Sequence, residues 1–293
     1  MIFGFSDNRF SDKLETIKTL KQTINCKGNL IDLSQPKVMG ILNLTPNSFY
    51  DGGKYRDESQ IISQVEKMLA DGAAFIDVGA YSSKPSAEFV SEVEEINRLL
   101  PIVELLIQKY PTILLSVDTF RSQVAKNAVE NGVAMVNDIS AGMLDEKMIE
   151  TVAKLQVPYI MMHMRGNPQT MQSLTNYEDV VQEMIYYFSE RIQVARSFGL
   201  NDIIVDPGFG FAKTLDQNYE VLQKLELLSM LELPLLAGIS RKSMIYKTLE
   251  TSAEEALNGT TVLNTIALQK GAKILRVHDV KEAVECVKLM QLL

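Results

Sequence analysis

A (β/α)8 TIM barrel with a short N-terminal extension is the fold class this chain predicts, and three observations predict it. Eight short apolar or β-branched runs recur along the chain, helical apolar stripes lie between them, and several runs end in a polar or charged residue. The runs cover 38–44, 75–79, 113–118, 134–139, 159–163, 203–206, 235–239 and 274–278. They are nearly continuous in hydrophobicity, as expected of parallel strands covered on both faces. Ile61, Ile62, Val65, Met68 and Leu69 form one helical stripe closed by Gly72, and Val124, Ala125, Ala128 and Val129 a second closed by Gly132. The last helix opens with Asp279 and carries Glu282 three residues on, a capping pattern. Eight strand–helix alternations joined by right-handed crossovers favour a closed barrel. An open doubly wound sheet is the competing architecture, but it normally carries a Gly-rich nucleotide loop after its first strand. Here that position reads TPNSFYDGG, no GxxxxGK[ST] occurs, and GFGFAK at Gly208 lacks the third glycine of a dinucleotide fingerprint.

Residues 1–36 precede the barrel, which occupies 37–293. Phe10, Leu14, Ile17 and Leu20 could line a short amphipathic helix, and TINCKGNLIDL reads as a hairpin closing the barrel bottom. The 293 residues are 46% hydrophobic and 23% charged, ordinary globular proportions for one large domain. A net charge of −8 argues against a nucleic-acid partner. Cys26 and Cys286 show no zinc or CxxC spacing and read as reduced thiols. No stretch approaches the length of a membrane span and no signal peptide is visible, so a cytoplasmic location is expected.

Polar groups at the C-terminal ends of barrel strands are where this fold builds an active site. Asp118 ends SVD, Asn137 sits inside VND and Asp206 ends IIVD. Each interrupts an apolar strand, where burial without a partner costs about 1–3 kcal/mol. A single one reads as a structural cap; three at matching positions point to a binding site. Two carboxylates and an amide suit a flat heterocycle with an amino-imino edge, shaped like a guanine or a pterin. Lys242, after GISR, joins Arg241, Arg276 and His278 of RVHD in a cationic quarter at the top of the barrel. The loops after strands 7 and 8 are where barrels often hold phosphate. Arg276 offers a planar fork, and His278 a donor whose charge is adjustable near neutrality. His163, between Met162 and Met164, reads as packing or a pocket wall.

With these residues in place the chain resembles the dihydropteroate synthases. The similarity is carried by VMGILNLTPNSFYDGG at Val38, SVDTFR at Ser116, VNDISAG at Val136, MHMRGNPQTMQ at Met162, DPGFGFAKT at Asp206, GISRKSMI at Gly238 and RVHDVKE at Arg276. The resemblance implies condensation of 6-hydroxymethyl-7,8-dihydropterin diphosphate with p-aminobenzoate in folate biosynthesis, by a class that is a sulfonamide target. It implies that Asp118, Asn137, Asp206 and Lys242 hold the pterin, with Met162 and Phe211 as apolar walls, and that Ser83 also touches the pterin diphosphate. Asn43 would contact Mg²⁺ on the diphosphate, and Arg276 and His278 would grip phosphoryl oxygens. Phe49, Ser83, Lys84, Pro85 and Ser240 would surround p-aminobenzoate. Catalysis would fall to Asp118, Asp206, Lys242, Arg276 and His278, with diphosphate leaving before the amine attacks and loops 45–55 and 82–90 closing over the site. A homodimer is implied as well.

One segment departs from the family pattern. GESTRP after the second strand is here GAYSSKP, with Tyr81 for an acidic residue, Ser83 for threonine and Lys84 for arginine. Lys84 keeps the charge without a bidentate fork, which bears on the p-aminobenzoate pocket more than on the reaction. Two rival readings share the barrel. A pterin-dependent methyltransferase needs the ring-binding groups but no diphosphate grip, and a non-catalytic pterin binder needs neither Asn43 nor Arg276.

Overall fold

A computed structural model describes residues 23–44, 54–81 and 90–293. The expected N-terminal helix, most of loops 45–55 and 82–90, and Phe49, Ser83, Lys84 and Pro85 lie outside the described residues.

The chain enters through an antiparallel hairpin, β1 (Thr23–Cys26) and β2 (Asn29–Asp32). Its two-residue turn places Lys27 at φ 55° and Gly28 at φ 84°. Positive φ at both central positions matches the right-handed strand twist, and glycine bears it without strain. Eight parallel strands follow: β3 (Lys37–Asn43), β4 (Phe75–Gly79), β5 (Leu115–Asp118), β6 (Met135–Asp138), β7 (Tyr159–Met162), β8 (Ile203–Asp206), β9 (Leu236–Ala237) and β10 (Ile274–Val277). Their order runs β8-β7-β6-β5-β4-β3-β10-β9, and a parallel bridge from Val205 to Leu235 joins the two ends. The sheet therefore closes into the expected barrel. The nine described helices are α1 (Lys54–Ala70), α2 (Glu92–Lys109), α3 (Ser122–Glu130), α4 (Met148–Leu155), α5 (Val180–Ser197), α6 (Leu215–Gln223), α7 (Ser243–Tyr246), α8 (Leu257–Gln269) and α9 (Val280–Met290).

Side chains alternate across each strand, so residues two apart share a face. Met39, Phe75, Met135, Ile160, Ile204, Leu236 and Ile274 form one buried interior layer. Ile24, Cys26 and Leu33 pack on that layer, so the hairpin region plugs the N-terminal end of the barrel. Burial, with Asp202 nearby, pushes the Cys26 thiol up to about 12, which keeps it unreactive. Both cysteines are free and buried. The outward-facing strand residues pack with the helices in a second, larger apolar cluster.

Three helix starts are capped by the local side chain, and one expected cap does not form. Ser91 accepts from Glu94 N, Asp179 accepts from Val181 N and Gln182 N, and Thr214 with Gln217 forms a capping box. Asp279 precedes α9 as expected but makes no side-chain cap there. Its two oxygens instead accept from Nε and Nη2 of Arg241, each at 2.8 Å. A bidentate charged pair outcompetes a single backbone N–H for the same carboxylate. Among the described residues no helix is long and apolar enough to cross a membrane.

Candidate active site

The same alternation that buries Phe75, Met135, Ile204 and Ile274 at the bottom turns Asp77, Asn137, Asp206 and Arg276 inward one step higher. Strand register then brings partners together. Asp118 lies opposite Asn137 on β5 and β6, and Met162 opposite Asp206 on β7 and β8. Arg276 reaches across the interior: its Nε donates to Asp77 Oδ2 at 2.6 Å and its Nη2 to Asp118 Oδ2 at 2.7 Å. Asn137 Nδ2 donates to the same Asp77 oxygen at 2.9 Å. The result is a continuous polar chain, Asn137–Asp77–Arg276–Asp118. Burial pushes the Asp118 carboxyl up to about 7, with Arg276 acting the other way. The guanidinium is held charged by Asp77 and Asp118 against the effect of burial.

Asp206 is buried, and its Oδ1 accepts from Gly208 N at 2.7 Å. Burial raises its carboxyl, and Lys242 opposes the shift. Lys242 caps α7; its Nζ donates to Phe209 O and sits 4.8 Å from the centre of the Phe211 ring. Burial, partly offset by Asp206, brings Lys242 down to about 8. Phe211 and Met162 belong to one apolar cluster with Ile139, Met164, Met171 and Ala212. A flat wall thus stands beside the carboxylates.

At the rim, Ser240 is buried beneath His278. Its hydroxyl accepts from His278 N at 3.2 Å and lies 3.3 Å from His278 Nδ1. Having accepted the backbone N–H, the hydroxyl can donate its proton to Nδ1, which leaves the imidazole proton on Nε2. The surrounding protein desolvates the ring and Arg276 repels its proton, so His278 is pushed down to about 4 although the residue is exposed. That direction favours the neutral imidazole. The expectation of a free cationic quarter is corrected. Arg241 is bound by Asp279 and by the carbonyls of Ala253 and Glu254, and Arg276 by two carboxylates. Asn43 stands exposed at the C-terminal end of β3.

His163 is buried beside Tyr187, ring centres 4.9 Å apart, and lies outside the polar chain. Lys213, a residue the sequence reading passed over, is buried with Nζ at 3.0 Å from His163 Nδ1, 3.1 Å from Gly208 O and 3.0 Å from Phe211 O. It staples the loop that follows β8. Burial and Lys213 hold His163 well below its usual range. The chain has only these two histidines. NMR titration of the imidazoles should accordingly show no midpoint between about pH 5.5 and 8, where a free histidine would titrate. A midpoint near pH 6.5 for either would contradict these surroundings.

Gly208 in the same loop has φ 67°, and a Cβ there would stand 2.3 Å from His163 O. Backbone cannot yield as a flexible side chain can. Gly208→Ala should lower stability by about 2 kcal/mol or more, read as a fall in Tm.

Asp77 is the functional candidate that sequence reasoning missed. It interrupts FIDVG as Asp118 interrupts LSVD, but it sits mid-strand rather than at the strand end. Tyr81, the departure from the acidic family residue, packs edge-on to Phe120 at 5.1 Å, with the Arg121 guanidinium 5.3 Å from its ring centre. Arg121 meets its carboxylate elsewhere, on buried Glu95. An aromatic face thus stands where the family pattern has a charge.

Residues 39–278 match the family model described as pterin binding enzyme. The chain belongs to the dihydropteroate synthase family of pterin binding enzymes. It is 41% identical over 263 residues to the dihydropteroate synthase of Haemophilus influenzae, covering 89% of this chain and 95% of that one. Among solved structures it resembles Yersinia pestis dihydropteroate synthase in a sulfonamide drug complex, with a TM-score of 0.86, 39% identity and coverage of 92% and 98%. It also resembles the Xanthomonas albilineans enzyme with 4-aminobenzoic acid, with a TM-score of 0.85, 36% identity and coverage of 92% and 97%.

Proposed function

We propose that this chain condenses 6-hydroxymethyl-7,8-dihydropterin diphosphate with p-aminobenzoate, giving 7,8-dihydropteroate and diphosphate for folate biosynthesis. The observation that carries this reading is the buried polar chain Asn137–Asp77–Arg276–Asp118 beside Asp206 and the Phe211 wall. Carboxylates and an amide oxygen accept from the amino-imino edge of a flat ring, and Met162 and Phe211 cover its faces. The likeness to dihydropteroate synthases over 89% of this chain supports the same substrates.

Arg276 has five N–H donors and commits two to Asp77 and Asp118, so three remain for phosphoryl oxygens. His278, in the tautomer that accepts from Ser240 at Nδ1, would add an Nε2 donor for a phosphoryl oxygen. The C–O bond to diphosphate breaks, with its electron pair leaving on oxygen. Positive charge spreads over the electron-rich ring, where Asp118 and Asp206 favour it. The amine of p-aminobenzoate then forms the C–N bond and loses a proton.

Among the described residues no group of three or more His, Cys, Asp or Glu is placed to hold a metal. Mg²⁺ is commonly held by few protein ligands together with substrate phosphates, so the exposed amide oxygen of Asn43 fits an ion arriving on the diphosphate. Bound there, the ion would neutralise charge developing on the leaving group. A cytoplasmic homodimer belongs to this same reading.

Purified protein mixed with Mg²⁺, the pterin diphosphate and p-aminobenzoate should yield a product with the mass of dihydropteroate. Ring binding, seen as a thermal shift, without product would instead indicate a pterin binder.

A further inference from the structure

Asp77 is fully buried in the middle of β4, and one of its oxygens serves two residues at once. Oδ2 accepts from Asn137 Nδ2 at 2.9 Å and from Arg276 Nε at 2.6 Å, while Oδ1 is buried without a hydrogen-bond partner. An ionised carboxylate only accepts, so the first of these bonds decides which way the Asn137 amide faces. The NH2 must point to Asp77, because a reversed amide would set two oxygens against each other. Asn137 Oδ1 is thereby left to accept from something else. The second bond takes the Nε edge of Arg276, with Nη2 directed at Asp118. One buried carboxylate thus orients a group on the ring side of the site and a group on the phosphate side.

We propose that Asp77 is a positioning residue, fixing Asn137 as an acceptor for a ring N–H and Arg276 as a fork for phosphoryl oxygens. This rests on the pterin diphosphate reading above. The competing role is that of a plain counter-ion to Arg276, which would leave ring recognition by Asn137 untouched.

The experiment uses 6-hydroxymethylpterin, which carries the ring and cannot react, and separately inorganic diphosphate with Mg²⁺. Parent protein, Asp77→Ala, Asn137→Ala and the double variant are titrated by calorimetry, with thermal melts to show that each is folded. Asp77→Ala, which removes the shared acceptor, should weaken ring binding by about tenfold or more in the parent background and by less than about twofold when Asn137 is already alanine. Diphosphate affinity should fall as well, by about tenfold through Arg276. Equal losses in both backgrounds, or ring affinity within about twofold of the parent, overturn the proposal.

Should Asp77→Ala fail to fold, Asn137→Asp takes its place. Two carboxylates would then face each other and share a proton only on acidification, so ring affinity should rise by about tenfold from pH 8 to 5 relative to the parent. A parent-like pH profile overturns the proposal. A parent protein that does not bind the ring removes the pterin reading together with this one. Ring binding with independent losses removes only the role of Asp77.

Discussion

Asp206→Asn loses about 10²-fold or more in turnover while melting within about 3 °C of the parent protein. The asymmetry follows from how the two oxygens are used. Oδ1 accepts from Gly208 N at 2.7 Å, and an asparagine carbonyl keeps that bond, so the loop after β8 stays in place. The other oxygen becomes an NH2. On the proposed function, an acceptor for the ring edge turns into a donor facing donors, and the negative charge that favours a cationic ring disappears. Lys242, whose charge Asp206 supports, loses that support as well. The loss of one charge-assisted bond and one misdirected donor together amount to about 3 kcal/mol or more of transition-state stabilisation. Steady-state product formation and a thermal melt on the same preparation check it. Turnover equal to the parent's removes Asp206 from the chemistry.

Arg276→Ala is expected to be worse, because it damages both function and stability. The guanidinium is the common partner of two carboxylates, one on β4 and one on β5, drawn from 199 and 158 residues away in the chain. Deleting it leaves Asp77 and Asp118 in the barrel interior without their cation, at a cost of about 3–5 kcal/mol. That corresponds to a fall in Tm of roughly 6–12 °C. The loss should depend on pH, and its sign is determined. Burial already pushes the Asp118 carboxyl up to about 7 against the pull of Arg276, so removing the cation raises it further. A carboxyl with a higher pKa folded than unfolded takes up a proton on folding. Stability therefore falls as pH climbs from about 4 through the folded value. The variant should lose more stability relative to the parent at pH about 8 than at pH about 5. Diphosphate affinity, measured calorimetrically, should drop at both. An unchanged affinity would detach Arg276 from the phosphate, whatever happens to the melt.

The two variants also show how far the chain could be read unaided. All eight strands lie where apolar runs mark them, because a parallel strand buried on both faces must be apolar along its length. Ends drift where the run continues past the last ladder bond. The run at 235–239 forms a strand only over Leu236–Ala237, with a single bridge at Leu235, and that at 113–118 only from Leu115. Asp118, Asn137 and Asp206 were visible as polar interruptions near strand ends. Asp77 gave the same signal one step lower and was passed over, since an acid in mid-strand resembles a structural cap as much as a functional group. Lys213 gave none, because a lysine in a glycine-rich loop normally lies in water; its burial follows from three acceptors that only the folded loop assembles.

Asp279 and Arg241 mark the boundary most clearly. Local spacing makes Asp279 a helix cap and counts Arg241 in the cationic quarter, and the barrel pairs the two with each other. Strand number, side-chain direction and the inward set of acids are properties of periodicity, and periodicity is local and written in the chain. Which acid meets which base depends on barrel closure, which brings residues nearly 200 positions apart within 3 Å. Charge pairing depends on distances that no sequence pattern encodes, so the partners of Arg241, Arg276 and Asp77 are decided only in the folded molecule.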